Sequence, residues 1–302
     1  MADIDTHDER AAIFERHRAR LFGIGYRMLG SVEDAEDIVQ EAYLRWHQAA
    51  IETVRSAEAW LVAVVTRLAI DRLRRSTTER EAYEGSWLPE PLAMAPAPDR
   101  EAELASDLSM AFLVLLERLA PEERAAFLLR EVFGADYAEI AHVLERSETA
   151  CRQVVHRARA RVRNEKRRVT APVETHEQIV ERFMAALAAE DKDALVALFT
   201  DDVLLMSDGG GRAPSIRNVV SGAERVAQVA VGYQRKGRGL ITHRLAWING
   251  EPAVLTLADG RTLFTTSFAI EDGRIAAVYR VLNPDKLGHV GPPPFPWDTV
   301  RG

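Results

Sequence analysis

The sequence has 302 residues, 47% apolar and 28% charged, a globular balance with room for two or three domains that excludes a disordered or collagen-like chain. Its longest apolar run, Ala59 to Val65, falls far short of the roughly 20 residues that cross a bilayer, and the start MADIDTHDER lacks the apolar stretch of a secretory signal. One cysteine, Cys151, excludes an internal disulfide and a multi-cysteine zinc site, so a soluble protein of the reducing cytoplasm is expected, with no membrane partner, metal or cofactor.

Residues 10–80 read as helices. AAIFERHRARLFGIGYRMLG is amphipathic, and Ser31 is placed to cap the next helix. That helix, EDAEDIVQEAYLRWHQ, puts Ile38, Ala42 and Trp46 on one face and Asp37, Gln40, Glu41 and Arg45 on the other. Ser56 opens a third helix, apolar in its first half and carrying Arg67, Arg72, Arg74 and Arg75 in its second. From Glu81 to about Arg100, Pro89, Pro91, Pro96 and Pro98 prevent a regular helix and favour an extended linker, with Trp87 and Leu88 as isolated apolar anchors. Helical periodicity returns from Leu104 to Arg168, broken at Ala120-Pro121 and near Gly134. After Ala171-Pro172, two helices (Thr175–Glu190 and Lys192–Phe199) precede the β-rich runs VLLMS, LITHRLAWI, AVLTL, TLFTTSFAI and RIAAVYRVL. Asn249-Gly250, Asp259-Gly260 and Asp272-Gly273 separate these runs as hairpin turns do. The chain ends in a proline-rich tail, GPPPFPW.

The net charge of 39 − 46 = −7 argues against a nucleic-acid partner, but residues 146–168 carry nine Lys/Arg against Glu148 and Glu165, or 9 − 2 = +7. A phosphate backbone senses charge within about 8–10 Å, so the local patch decides. DYAEIAHVLERSETACRQVVHRARARVR reads as a helix-turn-helix. Ala138, Ile140, Ala141 and Leu144 pack the first helix, and Arg146-Ser147 makes the turn with Ser147 as N-cap. Cys151, Val154, Val155, Ala158 and Val162 form the inward stripe of the second. Arg152, Gln153, His156 and Arg157 lie on the outward face near its start, where a recognition helix needs long donors; Arg159, Arg161 and Arg163 suit phosphates. A plain helical hairpin with a solvated basic face is the other reading of the same pattern.

EDAEDIVQEAYLRWHQ, AWLVAVVTRLAIDRLRRS and LAPEERAAFLLREVFGADYAEIAHVLERSETACRQVVHRARARVR, in this order and joined by a flexible linker, resemble regions 2 and 4 of the bacterial sigma factors, and more narrowly the extracytoplasmic-function group. The resemblance covers about half the chain. It implies a non-enzymatic alternative sigma factor that binds core RNA polymerase through its clamp and flap and directs initiation at −35/−10 promoter DNA. Asp37, Gln40 and Glu41 would dock on the clamp. The loop around Ala50–Arg55, with Trp60, Arg67, Asp71, Arg74 and Arg75, would hold and melt the −10 element, aromatics and arginines suiting an unstacked base and its backbone. Trp60 fits a core position equally well, and Arg67 stands where many relatives carry asparagine. Arg152, Gln153, His156, Arg157 and Arg159 would serve the −35 element.

Residues 173–302 resemble the SnoaL-like fold, a curved sheet wrapped by helices into a cone with a pocket. WLPEP (Trp87, Leu88, Pro89 to Pro91), DGGGR (Asp208, Gly209, Gly210, Gly211, Arg212) and NPDKL (Asn283, Pro284, Asp285, Lys286, Leu287) look like the motifs of the subgroup with a SnoaL-like extension. There the extension is held to regulate in place of a separate anti-sigma protein. The resemblance therefore predicts a multidomain chain: all-α region 2 at 8–80, linker at 81–105, helix-turn-helix region 4 at 106–169, and an α+β cone-shaped barrel at 172–302. The two glycine- and proline-bearing loops are expected to contact the linker near Trp87; a tight turn alone also accounts for the glycines.

Two alternatives stay open on the sequence. SnoaL relatives include cyclases and isomerases, for which Asp208, His243, Asp201 and Asp202 are the nearest acid–base candidates, although no spacing pairs them. The pocket could instead take a small ligand. A repressor with a single helix-turn-helix explains 136–168 but leaves 31–75 unaccounted for.

Overall fold

The computed structural model describes residues 2–50, 54, 56–94, 108–166 and 173–296. Pro96, Pro98, Leu104, Arg167 and Arg168, and most of the loop expected at Ala50–Arg55, lie outside the described residues. The chain divides into two compact units, Met1–Glu79 with Leu116–Val162, and Arg80–Leu115 with Arg163–Gly302.

The first unit is all helix. It holds α1 (Ala2–Leu29), α2 (Val32–Gln48), α3 (Ala57–Glu81), α5 (Pro121–Glu131), α6 (Tyr137–Leu144) and α7 (Glu148–Lys166); α4 (Met110–Leu116), which precedes α5 in the chain, falls almost wholly in the second unit. Local chemistry sets the ends. The Asp34 amide donates to Ser31 Oγ over 3.2 Å at the start of α2, and Pro121 opens α5, where a missing N–H costs nothing. Asp136 and Glu139 form a reciprocal capping box on α6. Ile38, Ala42 and Trp46 are buried, as the fourfold spacing of α2 requires. On α7 the whole stripe Cys151, Val154, Val155, Ala158 and Val162 is buried, and the Ala150 amide donates to Ser147 Oγ at the cap. The face of α6 is rotated from the expected one. Ile140 and Val143 are buried, Ala141 and Leu144 half-buried, and Ala138 is exposed, because the i, i+3 pair Ile140/Val143 directs the seam past the first turn.

The second unit is an open six-stranded sheet in the order β2-β1-β6-β5-β4-β3. Its strands are β1 (Phe199–Asp208), β2 (Val220–Ser221), β3 (Ile241–Ile248), β4 (Glu251–Ala258), β5 (Arg261–Glu271) and β6 (Arg274–Val281); α8 (Val173–Ala188), α9 (Lys192–Leu198) and α10 (Ala223–Lys236) complete it. The β1/β6 pair is parallel and the others antiparallel. The three hairpins turn at Asn249-Gly250, Asp259-Gly260 and Asp272-Gly273 with positive φ at both residues, the geometry of the tightest right-twisted turns.

Alternation gives the sheet two apolar faces. Val203, Leu205, Val254, Phe268 and Val278 pack under α8–α10. Ala253, Ala269, Ala277, Tyr279 and Val281 face the other way and are covered by Leu88, Met110 and Ala111. The segment expected to be a flexible linker is therefore, over residues 83–94, a strap seated on the sheet. Pro89, Glu90 and Pro91 are buried with Leu88, and Ala93 bridges to Ile248. Proline removes backbone donors, which makes an extended segment easy to bury once side chains answer its remaining polar groups. The Leu92 amide donates to Asn249 Oδ1 and the Asn249 amide to the Leu92 carbonyl.

Candidate functional site

The strap and the two sequence-flagged loops meet at one carboxylate. Asp208 ends β1 on the strap-facing side of the sheet and is 0% exposed. Tyr83 Oη donates to its Oδ1 over 2.6 Å, while the Leu88 amide (2.8 Å) and Lys286 Nζ (2.7 Å) donate to Oδ2. Lys286 also donates to the Leu88 carbonyl over 2.6 Å, so one ammonium ties the strap backbone to the carboxylate. Its Nζ lies 4.1 Å from the Trp87 ring centre and 5.0 Å from that of Tyr83; Arg80 covers Trp87 at 3.8 Å. Burial lowers the Lys286 ammonium below its ordinary value and the Asp208 charge partly restores it. Burial, then the adjacent Asp208 charge, pushes the Tyr83 phenol well above its usual range, which keeps it a donor.

The loops supply the frame. Asn283 Nδ2 donates to Tyr83 Oη over 2.9 Å, and Asn283 Oδ1 accepts from the Asp285 amide, fixing the turn Pro284–Lys286 that presents Lys286. Leu287 is buried in the strap-side core. Arg212 pairs with Asp285 at 3.2 Å. Gly210 has φ +55, and a Cβ there would overlap Asn283 Nδ2 and stand 2.8 Å from Tyr83 Oη. Only glycine lets this backbone pass so close to the Tyr83–Asn283 pair. Trp87, Leu88, Asp208, Gly210, Asn283 and Lys286 are thus brought together, and Arg212 with Asp285 flanks them. Pro89 is buried beside Leu88; Gly209 and Gly211 continue the loop. Sequence reasoning missed Tyr83 and Arg80, which carry no motif; the signal available was an aromatic and a cation just before the tryptophan of WLPEP.

The four acid–base candidates do not assemble. Asp208 serves the strap side, Asp201 and Asp202 are exposed, and His243 lies under α10 with Nε2 2.8 Å from Gln234 Oε1 and Nδ1 3.0 Å from Thr256 Oγ1. Burial, then the Arg280 charge, lowers the His243 pKa. Among the described residues no cluster of three or more potential metal ligands occurs, and no helix is long and apolar enough to cross a membrane.

In the helical unit, Asp37 and Gln40 are exposed on α2, and Glu41 holds Arg45 at 2.8 Å. Trp60 packs half-buried against Trp46, ring centres 5.5 Å apart. Arg67 is turned toward the first helix of the helix-turn-helix. Its Nε donates to the Val143 carbonyl (2.9 Å), its Nη2 to the His142 carbonyl (2.7 Å), and Glu145 lies 3.3 Å away. A guanidinium at the C-terminal carbonyls of α6 answers groups that the helix itself cannot pair. Arg74 pairs with Asp71 at 3.4 Å and with Glu122 of α5, while Arg75 donates to the Asp71 carbonyl. Arg124, buried, donates to the Met28 carbonyl (2.5 Å) and to Glu117 (2.7 Å), and Phe133 sits under Arg20 and Arg27. The two helical segments of this unit are therefore packed together through arginines.

On α7, Gln153, His156 and Arg157 are exposed, and Arg152 is held by Glu148 (2.7 Å) over the Tyr137 ring. Arg159 and Arg161 are paired at 2.5 Å with Glu131 and Glu123. Hydrogen bonding to Glu131 raises the Arg159 pKa. These exposed pairs are cheap to exchange for phosphates.

The family models for Sigma-70 region 2 and Sigma-70 region 4 match residues 13–79 and 109–162. The chain is 40% identical over 287 residues to the ECF RNA polymerase sigma factor SigJ of Mycobacterium tuberculosis, covering 91% of this chain and 92% of that one. It is 30% identical over 290 residues to the Probable ECF RNA polymerase sigma factor SigI of the same organism, covering 94% and 97%. The crystal structure of SigJ superposes with a TM-score of 0.76 at 38% identity, covering 93% of this chain and 99% of that one.

Proposed function

The chain belongs to the extracytoplasmic-function sigma factors of the sigma-70 family, alternative sigma factors that bind core RNA polymerase and direct initiation at promoter DNA, and we propose that its SnoaL-like C-terminal unit regulates this activity through the strap held by Asp208. The supporting observation is that one buried carboxylate gathers residues from three separated motifs, on the very segment that connects regions 2 and 4. In this reading region 2 spans 8–80, the linker 81–105, region 4 106–169 and the regulatory domain 172–302. The fused domain takes the role of a separate anti-sigma protein, and the chain works in the cytoplasm beside polymerase and DNA.

Asp37, Gln40 and Glu41 form a polar, solvent-facing surface on α2 suited to the polymerase clamp, and region 4 meets the flap. Arg152, Gln153, His156, Arg157 and Arg159 are the set offered to the −35 element. Trp60, Arg67, Asp71, Arg74 and Arg75 are offered to the −10 element. Two of these, Arg67 and Arg74, are engaged by α6 and α5, so region 4 has to leave region 2 before they reach DNA. A second reading adds a small-molecule input, favoured by a cavity on the opposite face of the C-terminal sheet.

Transcription with core polymerase tests the proposal. Gly210→Val, which leaves both DNA-binding regions intact, is expected to change promoter-specific output at equal occupancy of core enzyme. Unchanged output rejects a regulatory role for the strap.

A further inference from the structure

Under α10, on the face of the sheet away from the strap, lies a cavity of about 740 Å³. Its walls are mainly apolar, with Ile216, Val229, Leu240 and Leu263 among them, and Lys236 and Asp259 are the charged residues lining it. This is the size and character of a site for a small organic ligand. Behind it is a chamber of about 10 Å³, room for roughly one water, bounded by Arg280, His243, Thr256 and Thr266. Tyr233, Ile241 and Phe264 line both spaces.

Arg280 makes the inner chamber unusual. It sits on β6 with its side chain on the helix-covered face and is 3% exposed. Its guanidinium carbon is 4.7 Å from the Tyr233 ring centre and 4.8 Å from that of Phe264, yet Nε and Nη1 have no hydrogen-bond partner among the described residues. A buried cation whose donors are unanswered is costly unless something supplies acceptors. Its neighbours do not. Both nitrogens of His243 are taken by Gln234 and Thr256, and among the described residues none lining the chamber is acidic. Ser207, in register with Arg280 on β1, is buried with a hydroxyl that likewise has no partner among the described residues.

The outer space is also kept open. Gly232 lies inside α10 and lines the cavity, and a Cβ built on it would meet nothing within 4 Å. Glycine in a helix interior costs about 0.5–1 kcal/mol relative to alanine, so the helix gives up stability at a position where any side chain would enter the cavity.

We infer that this cavity binds an amphipathic monocarboxylate, with its apolar body in the outer chamber and its carboxylate on the free donors of Arg280. The Tyr233 and Phe264 rings form the partition that the head group has to displace, and the guanidinium charge favours an anionic carboxylate over a neutral oxygen. The inference rests on the ligand-input reading above and gives that ligand a chemistry.

Calorimetry on the full chain tests it, using dodecanoate and 2-naphthoate as probes, with methyl dodecanoate and dodecylammonium as the neutral and cationic counterparts. At least one carboxylate is expected to bind, at least tenfold tighter than the neutral and cationic probes. Arg280→Met, which removes an unpaired charge at similar volume, is expected to weaken it at least tenfold while leaving the fold intact by circular dichroism. Gly232→Leu is expected to weaken it by intruding into the outer space. The inference is overturned if neither carboxylate binds, if the ester binds as tightly, or if Lys236→Met rather than Arg280→Met removes the carboxylate preference. The same samples are assayed for association with core polymerase, so a chain that binds polymerase but no carboxylate loses this inference alone.

Discussion

Replacing Asp208 with alanine removes the acceptor of three hydrogen bonds and leaves the Lys286 ammonium, largely buried, with the Leu88 carbonyl and two aromatic faces. Breaking a buried ion pair from one side costs about 3–5 kcal/mol, most of it the uncompensated charge left behind. The strap is seated by this carboxylate, so the loss falls first on residues 83–92. The Leu88 amide, which donates to Asp208, is the direct reporter. At about 1.4 kcal/mol per factor of ten, its exchange with solvent deuterium should accelerate more than a hundredfold. Peptides from α2 and α7 should be unaffected. Lys286→Met in the Asp208→Ala background removes the orphaned charge and should restore at least about 1 kcal/mol, the non-additivity expected of two groups in contact. Leu88 exchange within threefold of wild type would refute the reasoning, and so would strictly additive single and double variants.

Three further perturbations separate the parts of the account. Gly210→Val places a β-branched side chain at φ +55 against the Tyr83–Asn283 pair; it should loosen the strap by about 1–3 kcal/mol and speed Leu88 exchange in step, and an unchanged exchange rate would contradict the close approach. His176 is buried, and burial holds its pKa down at about 4. The unfolded chain therefore binds the extra proton between pH 6.5 and 4, and stability falls as pH drops through that window, by about 3 kcal/mol in all. Urea unfolding at pH 7 and pH 4.5 should show His176→Leu losing correspondingly less than wild type; equal losses would reject the burial argument. Arg67→Ala should remove about 1.5–3 kcal/mol of charge-assisted bonding between α3 and α6 and raise amide exchange in α6, whereas unchanged α6 protection would mean that the contact carries no weight.

Wherever a short-range rule decided structure, the sequence was readable. The α7 stripe followed helical spacing at every position, and the Asn-Gly and Asp-Gly pairs turned where alternation stopped. The rule failed at Ala138, because a period fixes which residues share a face but not which face meets the neighbour. The prolines of residues 89–91 predict an extended, flexible linker; the segment is extended but seated, since proline reports only that no helix forms. What buried that segment was a tertiary partner, the second apolar face of the sheet, already hinted at by the lone anchors Trp87 and Leu88. DGGGR and NPDKL could be flagged together from resemblance, but the hub linking them, Tyr83 on Asp208, spans 125 positions and has no local signature. Arg280 was legible in principle. In RIAAVYRVL it alternates with Val278 onto an apolar face, where an arginine stands out, but strand parity had to be known first.

In the proposed function, the strap that Asp208 holds sets how this alternative sigma factor uses its promoter. Multiple-round transcription from one −35/−10 promoter, with core enzyme saturated by wild-type or Asp208→Ala protein, addresses it in one measurement. The account predicts a specific transcript from the wild type and a different yield from the variant at equal polymerase occupancy. Equal yields would contradict the regulatory claim, and no transcript and no association with core enzyme from either protein would contradict the account as a whole.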